Sequence, residues 1–226
     1  MPTIAFVSSK GGTGKTTAAL LLALGLESRG HKVAIIDSDP NLPLYGWRRK
    51  STYSNIRVFP VLTIEEMMDV IPLAQARAEW IIMDTEGSAR AQVFIEKLQP
   101  DLALVPVGPS ALEAAEAVKT SQALRTMAGR NRPFVPHACV LTRVPAALRP
   151  RSQTTVVDTL RSERIALIET PIVEKEAFRT IFAIGGSLST LDDEMVTGLD
   201  AARLNADSFS NAVMKVLTSR AAGAAA

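Results

Sequence analysis

The chain predicts an α/β fold, a mostly parallel twisted sheet with helices on both faces. Three observations carry that expectation. Short apolar runs of buried-strand type recur along the chain, longer amphipathic stretches separate several of them, and the first run leads through a glycine-rich loop into a helix-forming stretch. At 226 residues, 47% hydrophobic and 21% charged, the chain suits one compact domain over residues 1–220 that buries a sheet between helical layers.

The first strand is read at Thr3 to Ser8, and the first helix over Ala18 to Leu26. Between them lies Lys10-Gly11-Gly12-Thr13-Gly14-Lys15-Thr16-Thr17. Glycines allow backbone N–H groups to turn around phosphate oxygens, and the helix presents its positive end. Lys15 can reach the β- and γ-phosphates, and the Thr16 hydroxyl can ligate Mg²⁺. With strand before and helix after, this is a phosphate loop of a P-loop NTPase, and ATP and Mg²⁺ are its expected ligands. The usual spacing places a glycine at position 9, where this chain has Ser9, and Lys10 is an added cation.

Further strands are read in Lys32 to Asp37, Ile56 to Phe59, Trp80 to Asp84, Asp101 to Val107 and Phe134 to Leu141, with helical stretches at Ile64 to Ala78 and Ala111 to Met127. In such sheets ligands sit at the carboxyl ends of the strands. Two acidic motifs fall there. Asp37-Ser38-Asp39-Pro40-Asn41 follows the second strand, its proline stopping the strand and its two carboxylates free to face metal and phosphate. Trp80-Ile81-Ile82-Met83-Asp84 ends in a carboxylate of the kind that holds Mg²⁺ beside a phosphate loop, and Thr85-Glu86-Gly87 follows as a switch-like loop.

The early lysine makes the loop resemble the deviant Walker A loop of the ParA/MinD family of ATPases, and the resemblance extends over essentially the whole chain, falling toward the C-terminus. It implies that Lys10 acts in trans across an ATP-bound homodimer, like an arginine finger. It makes Lys10, Lys15 and Asp39 the catalytic set, with Asp39 positioning or deprotonating water. Thr16, Asp37 and Asp84 become the metal set. Gly11, Gly12, Thr13, Gly14, Lys15, Thr16 and Thr17 hold phosphates, and Thr142, Arg143 and Pro171 lie near the base. Asn41 replaces the glutamine usual in the acidic motif. Gly87 is similar to the γ-phosphate-sensing glycine, without the proline pair often found there. Trp47 is placed as in short ParA and VirC-like proteins, and is read as packed, with Arg48, Arg49 and Lys50 solvated. Val105-Pro106-Val107-Gly108-Pro109-Ser110 is similar to the segment preceding the dimer face, which makes Glu113 an interface candidate. The stretch from Glu169 through Phe178 to Ser189 resembles a strand, a proline, a short helix and a small-residue turn.

Net charge is only +2, but it is uneven. From Lys119 to Arg164 nine basic residues face two acidic ones, whereas from Glu169 to Asp207 eight acidic residues face three basic. If DNA is bound nonspecifically, its phosphates are expected at Arg143, Arg149, Arg151, Arg161 and Arg164, each equally readable as a solvated surface residue. The single cysteine, Cys139, excludes a disulfide within the chain and disfavours the cluster-binding nitrogenase iron protein. His31 and His137 lack metal-ligand spacing, and Met67 and Met68 read as core filler. No apolar run approaches about 18 residues, Met1-Pro2-Thr3 lacks a basic leader, and no DNA-reading domain is expected ahead of Thr3; a soluble cytoplasmic protein, nucleoid-associated when on DNA, is expected. The tail at 221–226 has no polar anchors and is expected to be frayed.

The resemblance thus implies an ATPase for DNA partition or cargo positioning, stimulated by a ParB-like or other adaptor. A MinD-like membrane switch is the alternative. It needs a basic amphipathic C-terminal helix, and Phe209 to Arg220 carries only Lys215 and Arg220 as cations, so no stable membrane association is expected. A carboxylate-activating enzyme of the dethiobiotin synthetase type would need a further constellation of His, Lys or carboxylate residues, which the sequence does not display.

Overall fold

The computed structural model describes residues 1–52, 54–87, 90–127, 134–146 and 151–224. Six strands form one parallel sheet in the order β3-β2-β4-β1-β5-β6, comprising β1 (Thr3–Phe6), β2 (Val33–Ser38), β3 (Arg57–Pro60), β4 (Trp80–Thr85), β5 (Leu102–Val107) and β6 (His137–Leu141). Each predicted strand core is present. Five of the six are buried at every position, because helices cover both faces and leave no side of the pleat for water.

The alternation of side chains across the pleat divides the core in two. Ile4, Phe6, Ile35, Ile82, Leu102 and Leu104 point toward the layer made by α1 (Lys15–Glu27), α2 (Pro43–Lys50), α7 (Glu176–Ile184) and α8 (Leu199–Ala224). Ala5, Val7, Ile36, Ile81, Met83 and Val105 point toward α3 (Ile64–Gln75), α4 (Arg90–Leu98), α5 (Ala111–Thr126) and α6 (Arg151–Ser162). Met67 belongs to the second core, as its reading as filler requires, but Met68 on the same helix is exposed.

Local chemistry sets the helix limits. A capping box starts α3: the Thr63 hydroxyl accepts from the Glu66 amide at 3.1 Å, and the Glu66 carboxylate accepts from the Thr63 amide at 3.2 Å. Ser110 caps α5 by accepting from the Glu113 amide at 3.3 Å. The helix α3 ends at Gln75, short of the expected Ala78, with Pro72 in its last turn.

The stretch before α7 departs from expectation. Where a strand was expected near Pro171, two single bridges occur, Leu167 to Cys139 and Val173 to Val144. Pro171 has no N–H to donate, so a continuous ladder along β6 is interrupted at that point. The helix α8 runs to Ala224, past the expected boundary at residue 220. It packs on α1, and its Phe209 and Val213 are fully buried. Its apolar face is therefore used within the fold and is not free to lie in a lipid surface. No described helix is long and apolar enough to cross a membrane.

Candidate functional site

Parallel strands bring all their carboxyl ends to one edge of the sheet, and the candidate residues follow from that register. Phe6 of β1 pairs with Asp84 of β4, and Asp84 pairs with Asp37 of β2. The two carboxylates are thus neighbours on the face from which α1 rises. A cleft of about 490 Å³ opens there, lined by Gly11 to Thr17, Asp39, Gly87, Thr142, Arg143 and, from the stretch that follows, Ile172 to Lys175, Phe178, Arg179 and Phe182.

The phosphate loop is held from within. Gly12 and Gly14 have φ of 74° and 90°, a region that side chains disfavour, and Gly14 leads directly into α1. The Lys15 ammonium is buried and donates to Ser8 Oγ at 3.0 Å and to the Lys10 carbonyl at 3.2 Å. The Ser8 hydroxyl also donates to the Lys10 carbonyl, at 2.6 Å. Burial pushes the Lys15 ammonium below the usual lysine range, and the charges of Asp84, Asp39 and Glu86 pull it partly back. Thr142 is almost wholly buried, and its hydroxyl donates to the Thr13 carbonyl at 2.7 Å. It therefore clamps the phosphate loop, which takes up the donor that the resemblance assigned to a base.

Asp84 is fully buried, and neither of its carboxylate oxygens has a hydrogen-bond partner among the described residues. The Thr16 hydroxyl stands close enough to favour the charged form without making a full hydrogen bond. Burial is the main cause that lifts the Asp84 carboxyl to about 7, with Asp37 adding repulsion. A buried acceptor left without a donor is costly, and a cation or its bound water at this point would satisfy it. Thr16 and Asp84 therefore fit a metal site. Among the described residues no group of three or more His, Cys, Asp or Glu side chains is placed to hold a metal alone. That suits Mg²⁺, which shares its shell with phosphates and water.

Asp37 is also fully buried, and its Oδ2 accepts from the Leu44 and Tyr45 amides at 2.8 and 2.9 Å. It anchors the start of α2, whose first residue is Pro43, so one of its oxygens is committed away from a metal. Burial raises its carboxyl to about 6, against the pull of those amides. Asp39 lines the cleft, and its Oδ1 accepts from the Asn41 amide at 2.9 Å and side chain at 3.1 Å. The departure at Asn41 thus has a function in this chain: it holds the carboxylate in the wall of the cleft.

Gly87 presses the β4 loop onto the phosphate loop. A Cβ at this position would lie 2.5 Å from the Lys10 carbonyl carbon and 2.6 Å from the Gly11 nitrogen. Lys10 itself is exposed. Arg143 has φ of 52°, lines the cleft and pairs with Glu113, which also accepts from the Gly108 amide at 2.6 Å. Pro171 is not among the cleft-lining residues, and its carbonyl accepts from Asn205 at 2.8 Å. Phe178 and Phe182 supply the apolar part of that wall, which no motif marked.

Among the described residues the basic candidates do not converge. Arg143 stands at the cleft, whereas Arg161 lies in the last turn of α6 and Arg164 just beyond it, at the amino edge of the sheet. Arg149 lies outside the described residues, and Arg151 is described only as the backbone that opens α6. Trp47 is buried, its indole N–H donating to the Gly186 carbonyl at 2.9 Å. Of the cations beside it, Arg48 and Lys50 are spent on backbone carbonyls of Ser51, Ile56, Phe182 and Ala183, and Arg49 is exposed.

Residues 1–219 match the VirC1 protein family. Protein ParA of Rhizobium radiobacter is 32% identical over 219 residues, which are 96% of this chain and 98% of that protein. Among solved structures, apo McdA of Cyanthece is similar at a TM-score of 0.71 and 16% identity, covering 94% of this chain and 99% of that one. The septum site-determining protein MinD of Pyrococcus horikoshii OT3, complexed with Mg-ADP, is similar at 0.65 and 17% identity over 95% of each chain. The phosphate loop with its second lysine, the buried Asp84 beside it and these matches agree: the chain belongs to the VirC1 family and is an ATPase of the ParA/MinD type.

Proposed function

We propose that this ATPase binds Mg·ATP in the cleft, joins a second copy face to face, holds nonspecific DNA while joined, and separates on hydrolysis stimulated by an adaptor protein. The observation that carries the reading is the convergence of Lys15, Thr16, Asp39 and the partnerless Asp84 beneath a loop whose other lysine, Lys10, is exposed.

The Lys15 ammonium, now shared between Ser8 and the Lys10 carbonyl, exchanges those acceptors for phosphate oxygens. Thr16 and Asp84 would hold Mg²⁺, which when bound supplies positive charge to the phosphate oxygens. Asp39, fixed by Asn41, orients the attacking water or takes its proton. Gly87 couples the β4 loop to the phosphate loop, so that a change at one moves the other. Lys10 reaches the partner's triphosphate, where added positive charge favours the transition state. Partition of DNA or positioning of another cargo is the work served, in the cytoplasm and on the nucleoid. The name and similarity of Protein ParA support it, and the Mg-ADP in the MinD neighbour supports the ligand.

Light scattering and DNA retention test the reading together. The mass should double with ATP and Mg²⁺ but not with ADP, and only the doubled form should retain random-sequence DNA, with retention falling steeply as salt rises. A monomer at saturating ATP would contradict it.

A further inference from the structure

The start of the phosphate loop, at Ser9 and Lys10, is gripped on three sides, and one of these grips belongs to no motif. From inside, Lys15 and Ser8 both donate to the Lys10 carbonyl. From the β4 side, Gly87 packs against the Lys10 backbone. On the outer side stands Ser9, at the position where the usual motif has glycine. Its hydroxyl donates to Oε2 of Glu116 at 3.0 Å, across 107 residues of sequence. The other oxygen of that carboxylate, Oε1, accepts from Lys119 at 2.8 Å, so both ends of the group are fixed. One turn on, Thr120 Oγ1 donates to the Glu116 carbonyl at 2.9 Å and lies 3.4 Å from Ser9 Oγ. Bonds from Lys119 and then Ser9, with a smaller contribution from the Lys10 charge, hold the Glu116 carboxyl below its usual range.

We propose that Glu116 is a positioning residue for turnover: through Ser9 it fixes the segment from which Lys10 projects. A lysine side chain has four flexible carbon links, so the aim of its ammonium depends on where its backbone is held. A glycine at position 9 would leave that backbone without an outer tether, and Ser9 supplies one. An exposed bond of this kind contributes little to folding stability, so a loss of kcat on its removal would not come from unfolding. The inference rests on the reading that Lys10 takes part in hydrolysis, and the test separates the two.

The full chain is assayed for steady-state hydrolysis of Mg·ATP as wild type, Lys10→Ala, Ser9→Ala, Glu116→Ala, Glu116→Gln and the Ser9→Ala/Glu116→Ala double variant. Ser9→Ala and Glu116→Ala should each lower kcat by about tenfold with KM nearly unchanged. The double variant should be no worse than either single one, because both remove the same bond. Glu116→Gln keeps an acceptor and should recover most of kcat, with melting temperatures within about 2 °C of wild type throughout. Full kcat in Ser9→Ala and Glu116→Ala, beside a loss in Lys10→Ala, would overturn the proposal alone, as would losses that add. Full kcat in Lys10→Ala would overturn the reading beneath it. If Glu116→Ala fails to fold, the exposed Ser9→Ala and the isosteric Glu116→Gln decide by the same criteria.

Discussion

The nucleotide cleft and the basic segment between Lys119 and Arg164 differ in how folding treats them. The cleft draws Lys15, Asp39 and Thr142, with Asp84 buried beside it, from four separate stretches, and the parallel sheet delivers them all to one edge because strand ends share a direction. The basic segment is continuous in sequence, and the fold takes its described residues apart. Arg125, in the last turn of α5, donates to the carbonyls of Glu163 and Arg164 at 3.2 and 3.1 Å. Arg143 is drawn to the cleft and paired with Glu113. The 12 residues of α6 separate its two ends by about 18 Å, which sets Arg161 and Arg164 at the end of the helix remote from its first residue, Arg151. Convergence of unlike residues survives folding when the topology aims them; nearness of like charges in sequence does not by itself gather them at one place.

That contrast can be broken or sharpened by substitution. The largest effect belongs to Lys15→Ala, which should weaken nucleotide binding by at least about 100-fold in calorimetry, because a charge-assisted contact to phosphate is lost at a buried point. Asp39→Ala should leave ATP affinity within about threefold but slow hydrolysis by about 100-fold or more, prolonging the ATP form in single-turnover assays. Gly87→Ala, whose methyl group would overlap the Lys10 backbone, should weaken nucleotide affinity by about tenfold. Among the arginines, charge reversal at Arg161 and Arg164 together should reduce DNA retention at low salt and leave ATP hydrolysis unaltered. Reversal at Arg143 would set two carboxylates against each other at the cleft and should weaken nucleotide binding as well. Equal effects on ATP from both changes would erase the distinction between the two regions.

The smallest effect is on stability. Asp84 titrates near 7 and Asp37 near 6 in the folded chain, both above the unfolded carboxylate value. The folded state therefore holds more protons, and the nucleotide-free protein should lose stability as pH rises from about 4 to 7. Asp84→Asn should flatten that loss, with a melting temperature above wild type by several degrees at pH 8 and by less at pH 5, as about 2 kcal/mol would give in a chain of this size. An unchanged slope in differential scanning fluorimetry would remove Asp84 as its source.

What could be read from the sequence followed the range of each interaction. The strands were legible because complete burial demands unbroken apolar runs such as Ile81 to Met83, and the phosphate loop because its residues act within one turn of backbone. Asp84 and Asp39 were legible as strand-end carboxylates, though not the division of labour that ties Asp37 to the amides of α2. The clamp from Thr142 to Thr13, the tether from Glu116 to Ser9 and the wall of Phe178 and Phe182 join residues far apart in the chain, and no local pattern announces them. The two single bridges around Pro171 show the opposite limit, where a proline weakened a strand that the resemblance implied.

Whether Lys10 works in the neighbouring subunit can be decided by mixing two inactive variants, Lys10→Ala and Asp39→Ala, in equal amounts with ATP and Mg²⁺. In a mixed pair the first keeps Asp39 beside its own nucleotide and receives Lys10 from the second, so one site in two is complete. Hydrolysis by the mixture should rise to roughly a quarter of wild type, since about half of randomly formed pairs are mixed. A mixture no more active than its two components measured apart would contradict action between subunits.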